Sequence, residues 1–448
     1  QRQIYVLNRM VAEGYITNIQ ATEAINEVLD IKPRRNWYIE NAPCYTEYIR
    51  RYIEKKYGDK ILYTQGLKIY TAVNIEMQHN AKEEINIRLK ALDKRQGYRG
   101  PIEHVAKEQI EDFCKKASFN LEKRVLKKGD VVKGVVIDVN NVKNFVTLRI
   151  GEHLGRIELD DMRWARKPDP ETYYFKSRIR HPGDALKTGD VILAGIKEID
   201  DNKDIISLSL EQTPASEAAL MCIEAETGFV KVMVGGRNFK KTQFNRAVQS
   251  KRQPGSAFKP IIFAAAIDKD YTPATMIIDS PITFEDPKHD FTWKPRNYGE
   301  KFYGPTLLRD ALAKSRNVVT IKILRDIGID YAIDYARQLG ITSNLSRDLS
   351  IALGSSGVSL FEIAKAYSVF ANLGYLVEPV FITRIEDRYG KVIEEAASDR
   401  KRVISSSTAY IMTNMLESVV KYGTGRSVKV LGRPVAGKTG TTNNLQDA

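Results

Sequence analysis

The sequence predicts a multidomain α+β protein, and three observations carry that prediction. A chain of 448 residues is too long for a single hydrophobic core. Helical stripes near both ends flank a central stretch of short, alternating, β-branched segments. That stretch holds an internal repeat, LKKGDVVKGVVIDVN at Leu126–Asn140 and LKTGDVILAGIKEID at Leu186–Asp200, offset by 60 residues, each entering a strand through Lys-x-Gly-Asp. With 43% hydrophobic and 28% charged residues, the composition is that of a folded protein and excludes a globally disordered one. The formal net charge of +13 favours polyanions (nucleic acid, anionic lipid headgroups or an acidic polymer) without choosing among them.

Residues 1–30 read as two short helices. Ile4, Leu7, Met10 and Val11 form one stripe, Gly14 to Thr17 break it, and Thr17 is placed to cap a second helix carrying Ala21, Ala24, Ile25 and Leu29. Such a pair buries too little to stand alone and reads as the tail of a larger domain. Residues 31–96 read as a linker region: a basic connector (Lys32–Tyr38), a helix near Tyr45–Tyr57, a strand over Leu67–Val73 and a helix from Ile75 to about Leu89. Residues 97–212 carry the repeat, whose spacing fits a small β-barrel of the OB or S1 type. From residue 213 the pattern changes again. Ala218–Ala225 and Phe229–Val234 predict a hairpin around Glu226-Thr227-Gly228, long helical patterns follow, and Arg433–Thr441 reads as a strand.

Cys44, Cys114 and Cys222 are scattered without CxxC or disulfide-framework spacing, so neither a metal site nor a cofactor is expected. No run approaches the roughly 18 apolar residues of a membrane span, and QRQIYVLNRM has no signal-peptide core. The chain starts without methionine inside an apparent helix and stops at Gln446-Asp447-Ala448 without a terminating pattern. It reads as a fragment, in which missing targeting signals carry no weight.

Chemistry enters at RQPGSAFKP, Arg252–Pro260, just ahead of the apolar run Ile261–Ile267. Ser256 and Lys259, three apart, share a helix face. Pro260 is tolerable only in a first helical turn, and Gly255 permits an unusual backbone turn, so Ser256 is expected at the very start of the helix. Serine needs a base, yet His289, in DPKHD, is the lone histidine after Thr213, which disfavours a Ser-His-Asp triad. A lysine can serve if its ammonium is destabilised by burial and a second cation; lowering it by three pH units costs about 4 kcal/mol. The sequence supplies that cation and candidate relays. Ser315-Arg316-Asn317 begins 59 residues after Ser256, and Lys438-Thr439-Gly440-Thr441 begins 121 residues after Asn317. S-x-x-K, S-x-N and K-T-G are each weak alone; together and in order they are the signature shared by serine β-lactamases and penicillin-binding proteins. Here the central residue of the middle motif is Arg316 where that signature has Asp.

With these motifs, FNRAVQSKRQPGSAFKP (Phe244–Pro260), ALAKSRNVV (Ala311–Val319), ALGSSGVSLFEIAKAYSVFANLG (Ala352–Gly374) and GTGRSVKVLGRPVAGKTGTTN (Gly423–Asn443), the chain resembles the class A penicillin-binding proteins of Gram-negative type 1A. GLKIYTAVNIEMQHNA (Gly66–Ala81) resembles their linker and YVLNRMVAEGYIT (Tyr5–Thr17) the end of their glycosyltransferase domain. The resemblance implies a serine β-lactamase-like transpeptidase domain of helices and antiparallel sheet at 213–448, truncated after the KTG strand, preceded by an OB-like barrel and a helical remnant. It implies a D,D-transpeptidase in which Ser256 attacks the D-Ala-D-Ala carbonyl of a peptidoglycan stem peptide. Lys259 takes the serine proton, Ser315 relays one to the leaving amine, and Asn317 binds the substrate amide and positions Lys259. Lys438 holds the electrostatics, Thr439 and Thr441 bind the terminal carboxylate beside Gly440, and the Ser256 and Thr441 amides form the oxyanion hole. Glycan strands and β-lactams become partners, and no nucleic acid is expected. The barrel of such enzymes is implied as a docking place for a regulatory protein, and the place of work as the periplasmic face of the cytoplasmic membrane, reached through an anchor upstream. The glycosyltransferase glutamates and the strands after the KTG motif are not in the chain, which leaves that motif as a sheet edge.

Other readings stay open. A β-lactamase or D,D-carboxypeptidase would share the fold, although no E-x-x-L-N lies between Asn317 and Lys438. A non-catalytic penicillin or peptide sensor would keep the motifs. An OB-fold nucleic-acid binder would want aromatics at strand spacing, which Phe145, Trp164, Tyr173, Tyr174 and Phe175 lack. Gly354–Gly357 (GSSG) is no phosphate loop and reads as a loop lining the peptide cleft. Phe361, Tyr367 and Phe370 read as core, and Asn297 as either a substrate-lining residue or part of a plain turn.

Overall fold

The computed structural model describes residues 2–27, 37–121, 126–199, 205–286, 291–397 and 399–442. Leu29, connector residues 32–36, Asp200, His289 and Asn443 lie outside them. Residues 1–41 and 42–448 form two compact units. The first contains the helices Arg2–Ala12, Asn18–Asn26 and Trp37–Asn41. Thr17 caps the second of these as expected: its hydroxyl accepts from the Gln20 amide while the Gln20 side chain accepts from the Thr17 amide, so two orphan donors are satisfied reciprocally.

In the second unit the helix Pro43–Tyr57 buries Tyr45, whose hydroxyl donates to the carbonyls of Val230 and Phe381 at 2.9 and 3.0 Å. The strand Lys68–Thr71 pairs antiparallel with Ile382–Glu386, which pairs in turn with Val392–Glu395. Segments before and after the barrel thus build one sheet. The helix from Ile75 continues to Gln96, beyond the apolar stripe that ends near Leu89. Polar contacts carry the extension: buried Asp93 accepts from Arg99 at 2.8 and 3.2 Å and from the Ala215 amide at 3.0 Å, and hydrophobic periodicity cannot report such bonds.

Five strands, Val131–Asn140, Phe145–Ile150, His153–Glu158, Asp190–Glu198 and Ile205–Glu211, close into a barrel. The first pairs with the second and fourth, the second with the third, the third in parallel with the fifth, and the fifth with the fourth. That is the five-stranded closure of an OB-like fold, filled by Val136, Leu148, Ile157, Ile192 and Leu208. The repeat is one turn used twice. Asp130 accepts from the Lys127 amide (3.1 Å) and Asp190 from the Lys187 amide (2.8 Å), while Gly129 and Gly189 take φ of 90° and 95°. The two strands so launched pair with each other. One element departs from the expected run of short strands, a helix over Ile110–Leu121. Its Ile110, Phe113 and Cys114, at helical spacing, pack on Val135 and Val191 of the barrel wall.

Beyond the barrel, Leu220–Ile223 and Val230–Val234 form the expected hairpin. The helix Lys259–Ile267 is buried along its whole length. Its apolar residues join those of helices Leu308–Ala313, Asn317–Ile327, Ile329–Gln338, Leu360–Ala371 and Ser406–Lys421 in one core. Among the described residues, the strand expected over Arg433–Thr441 is absent. The segment has no ladder partner and is tied down instead by the Gly437 amide, which donates to the Leu416 carbonyl at 3.3 Å, and by close packing of Gly440 and Thr441 on the serine turn. A segment without cross-strand bonds is not a sheet edge.

Candidate active site

Ser256 sits in a single 3-10 turn, Gly255–Phe258, that leads into the buried helix, with Pro260 in that helix's first turn. The serine therefore lies one turn ahead of the α-helix proper. Gly255 holds φ of 54°, and a Cβ there would lie 2.6 Å from the Thr441 carbonyl oxygen. From the other side, the Gly354 carbonyl accepts from the Gly255 amide (3.3 Å), and a Cβ on Gly354 would lie 2.2 Å from the Gly255 oxygen. A Cβ on Gly440 would likewise lie 2.8 Å from the Pro254 oxygen. Three backbone segments close on the serine turn only because these positions carry no side chain. The GSSG stretch thus lines the site, and Ser355 faces the cleft.

Lys259 is fully buried, and its amine donates to the Ser315 carbonyl at 2.8 Å, the Ser315 hydroxyl at 3.3 Å and Asn317 Oδ1 at 2.7 Å. Lys438 donates to the same Ser315 hydroxyl at 2.9 Å and to the Thr439 carbonyl at 2.9 Å. Ser315 Oγ is thereby a shared acceptor between two amines, and its own proton is left for another partner. Ser315 achieves this from a left-handed backbone, φ 57°, at the break between two helices, a conformation that an L-residue adopts at a cost of about 1–2 kcal/mol. Burial, then the charges of Lys438 and Arg316, hold the Lys259 amine well below the ordinary lysine range. Burial lowers Lys438 to about 8.

Ser256, Ser315, Asn317, Thr439 and Thr441 all face one cleft of about 1600 Å³. Thr439 Oγ1 and Thr424 Oγ1 are 2.6 Å apart, and Thr441 donates to the Gly440 carbonyl at 2.8 Å. Two expected contacts differ. Among the described residues the Ser256 hydroxyl makes no side-chain hydrogen bond, and Lys259 engages Ser315 and Asn317 instead of the serine. Asn317 also spends its amide N–H on the Arg296 carbonyl at 3.0 Å, which fits positioning of Lys259 more directly than capture of a substrate amide.

Asn297 is neither a plain turn nor only a lining residue. Buried, it donates to Asp279 at 2.9 and 2.8 Å, and its oxygen accepts from the amides of Asn317 (2.8 Å) and Val318 (3.3 Å), capping the helix that carries Asn317. Tyr367, expected as core, does more than fill space: its hydroxyl donates to the carbonyl of Ala257, next to Ser256, at 2.7 Å. The available signal was chemical, since in a stripe with Phe361 and Phe370 a tyrosine brings a hydroxyl that needs a partner when buried. The other two rings of that stripe are core as expected, Phe370 in the main cluster and Phe361 packed with Phe381 and Ile385.

A serine on a pinned turn shares its cleft with a hydroxyl to which two depressed amines donate, the residue set that a lysine-dependent serine acyl-transfer site needs. Residues 218–448 match the penicillin binding protein transpeptidase domain, and residues 98–215 match the penicillin-binding protein OB-like domain. The chain belongs to the penicillin-binding protein transpeptidase family. Along its whole length it is 34% identical to penicillin-binding protein 1A of Pseudomonas aeruginosa, of which it covers 59%, and 36% identical to penicillin-binding protein 1A of Neisseria gonorrhoeae, of which it covers 55%. The crystal structure of penicillin-binding protein 1A from Haemophilus influenzae superimposes with a TM-score of 0.79 at 26% identity, over 98% of this chain and 68% of that one. The chain spans between half and two thirds of the length of these curated relatives.

Proposed function

We propose that this chain carries the D,D-transpeptidase activity of a peptidoglycan synthase. The observation that carries the reading is the Lys259–Ser315–Lys438 chain of hydrogen bonds beside the Ser256 turn. Lys259, kept short of its ordinary proton affinity, takes the Ser256 proton as Oγ attacks the carbonyl between the two terminal D-alanines of a stem peptide. Catalytic hydrogen bonds of this kind commonly tighten only in the Michaelis complex, so the bonds of Lys259 to Ser315 and Asn317 in the free protein are compatible with the role. The Ser256 and Thr441 amides stabilise the tetrahedral oxyanion, each such donor being worth about 3 kcal/mol. Ser315, its proton uncommitted between the two amines, passes it to the departing D-alanine nitrogen and takes back from Lys259 the proton removed from Ser256, while the Lys438 ammonium stabilises the charge passing through the Ser315 oxygen. Thr439 and Thr441, at the Gly440 approach, bind the terminal carboxylate. The acyl group then moves to an amine of a neighbouring strand, which forms the cross-link. A β-lactam, with no leaving group able to diffuse away, remains on Ser256.

The same reading sets the chain within a longer bifunctional enzyme, with glycan polymerisation residues and a membrane anchor upstream and the work done at the periplasmic face of the membrane. In it, residues 1–30 end a glycosyltransferase domain, 31–96 link, 97–212 are the OB-like barrel as a docking module for a regulatory protein, and 213–448 carry the transpeptidase. Mass spectrometry after exposure to benzylpenicillin tests it. One adduct on Ser256 that persists for many minutes, and none on Ser256→Ala, is expected. Release within seconds would instead make the site a β-lactamase or carboxypeptidase, and an adduct without cross-linking of a lipid-linked donor would make it a sensor.

A further inference from the structure

The cleft wall beside Ser315 holds a cation that the protein leaves unspent. Arg316 occupies the central position of the S-x-N motif and lines the cleft. Its guanidinium lies over the Tyr303 ring, 3.2 Å from the centroid, and its buried Nε has no hydrogen-bond partner. Among the described residues no side chain or carbonyl accepts from this guanidinium. Of the other cations lining the cleft, Arg296 pairs with Glu300 at 2.9 Å and Lys314 is exposed to water. Asp348, on the same cleft, accepts from the Ser350 amide at 2.7 Å and not from Arg316. A partly desolvated charge without a partner is costly, whereas a planar fork of N–H donors clamped on an aromatic ring is preorganised for a carboxylate. The terminal carboxylate of the substrate is already assigned to Thr439 and Thr441, on the same cleft, so what Arg316 can take is a different one.

We infer that Arg316 is a specificity-determining residue that binds a second carboxylate, one carried by the acyl donor ahead of the scissile bond. This rests on the acyl-transfer reading of the site. Such binding is separable from the charge effect of Arg316 on Lys259, which acts on every substrate alike.

Acylation of Ser256 in the full chain is to be timed with two penicillins that are identical except that one bears a carboxylate on the α-carbon of its acyl side chain. The quantity read is the ratio of the two acylation rate constants, in which any change in Lys259 basicity cancels. Arg316→Gln is expected to lower the carboxylated-to-neutral ratio about tenfold or more, the loss of a charge-assisted hydrogen bond. Arg316→Lys, which keeps the charge and loses the fork, is expected to lower it by about threefold, and it decides alone if the glutamine variant does not fold. A ratio unchanged in the variants overturns the inference while leaving the acyl-enzyme reading intact. No adduct with either penicillin on the unaltered chain overturns that reading, and the inference with it.

Discussion

Lys259 and Lys438 meet at one hydroxyl, and the pH dependence of acylation follows from what each amine must do. In the proposed mechanism Lys259 works as a base only when neutral, and Lys438 contributes only while charged. With Lys438 at about 8, the penicillin acylation rate is expected to decline above that pH as its proton is lost. In Lys438→Met the rate is expected to fall by about a hundredfold, the scale of one general acid–base group. The alkaline decline should vanish, and the acid limb should move to higher pH, because the repulsion that helps depress Lys259 has gone. Stopped-flow acylation across pH 5 to 10 reads all three effects; a variant profile that merely scales the parent's would refute the coupling. The stability sign is the reverse of a salt bridge. An amine whose folded affinity is lowered costs stability at neutral pH, and that cost is relieved as pH rises from about 8 to the unfolded value of 10.5. Spacing and residue types singled out Ser256, Lys259, Ser315 and Lys438 in the sequence, and the structure gathers the last three in one chain of hydrogen bonds, with Ser256 and Ser315 on one cleft. The roles of Asn297 and Tyr367 were not legible there, because each acts through hydrogen bonds to a backbone remote in sequence.

Among the elements, the helix Leu360–Ala371 holds the serine turn through Tyr367, and its own start is fixed by Glu362. That buried carboxylate accepts from the amides and hydroxyls of Ser359, Thr342 and Ser343 at 2.7 to 2.9 Å. Burial raises its proton affinity, yet the hydrogen bonds from Ser359 and Ser343 outweigh burial and bring it to about 2. A depressed carboxylate stabilises the fold above its unfolded value of 4.5, and the contribution, on the order of 3 kcal/mol, is lost as pH falls from there toward about 2. Glu362→Gln turns an acceptor toward donors it can no longer satisfy. Its thermal midpoint is expected several degrees below the parent's at pH 7, with the gap closing in acid; a constant gap across that window would sink the account. Ser359 to Glu362 spells the S-x-x-E capping signature, so the start of this helix was readable, whereas the Thr342 and Ser343 donors come from a loop no pattern points to. Likewise Ile110, Phe113 and Cys114 carry a helical stripe within a region whose surrounding alternation favours strands.

For the molecule as a whole, the barrel sits within a fold built from both of its flanks. Its entry and exit lie side by side: Gln212 donates to the Gly97 carbonyl at 2.8 Å, and the Arg99 amide donates to Gln212 at 3.1 Å. Ahead of the barrel, the strand Lys68–Thr71 completes a sheet with strands Ile382–Glu386 and Val392–Glu395 after it, and Tyr45 donates to the carbonyls of Val230 and Phe381. Replacing residues 98–211 by a short flexible linker is therefore expected to preserve penicillin labelling of Ser256, because adjacent ends make the closure cost of such a loop small. Loss of labelling with a retained fold, followed by circular dichroism, would mean that the barrel supports the site directly.

Local sequence was enough for the motif residues, the repeated Lys-x-Gly-Asp turns with the two barrel strands they launch, and the helices near Tyr45, Ile75 and Ile261, because propensity, turn chemistry and apolar periodicity act over a few residues. Long-range packing alone settles that, among the described residues, 433–441 run without a ladder partner and Arg316 faces the cleft without an acceptor, and that Asn297 caps a helix 20 residues away. Those outcomes depend on which backbones approach one another, and close approach is set by the packing of glycines such as Gly255 and Gly354 across the fold rather than by any neighbour in the chain.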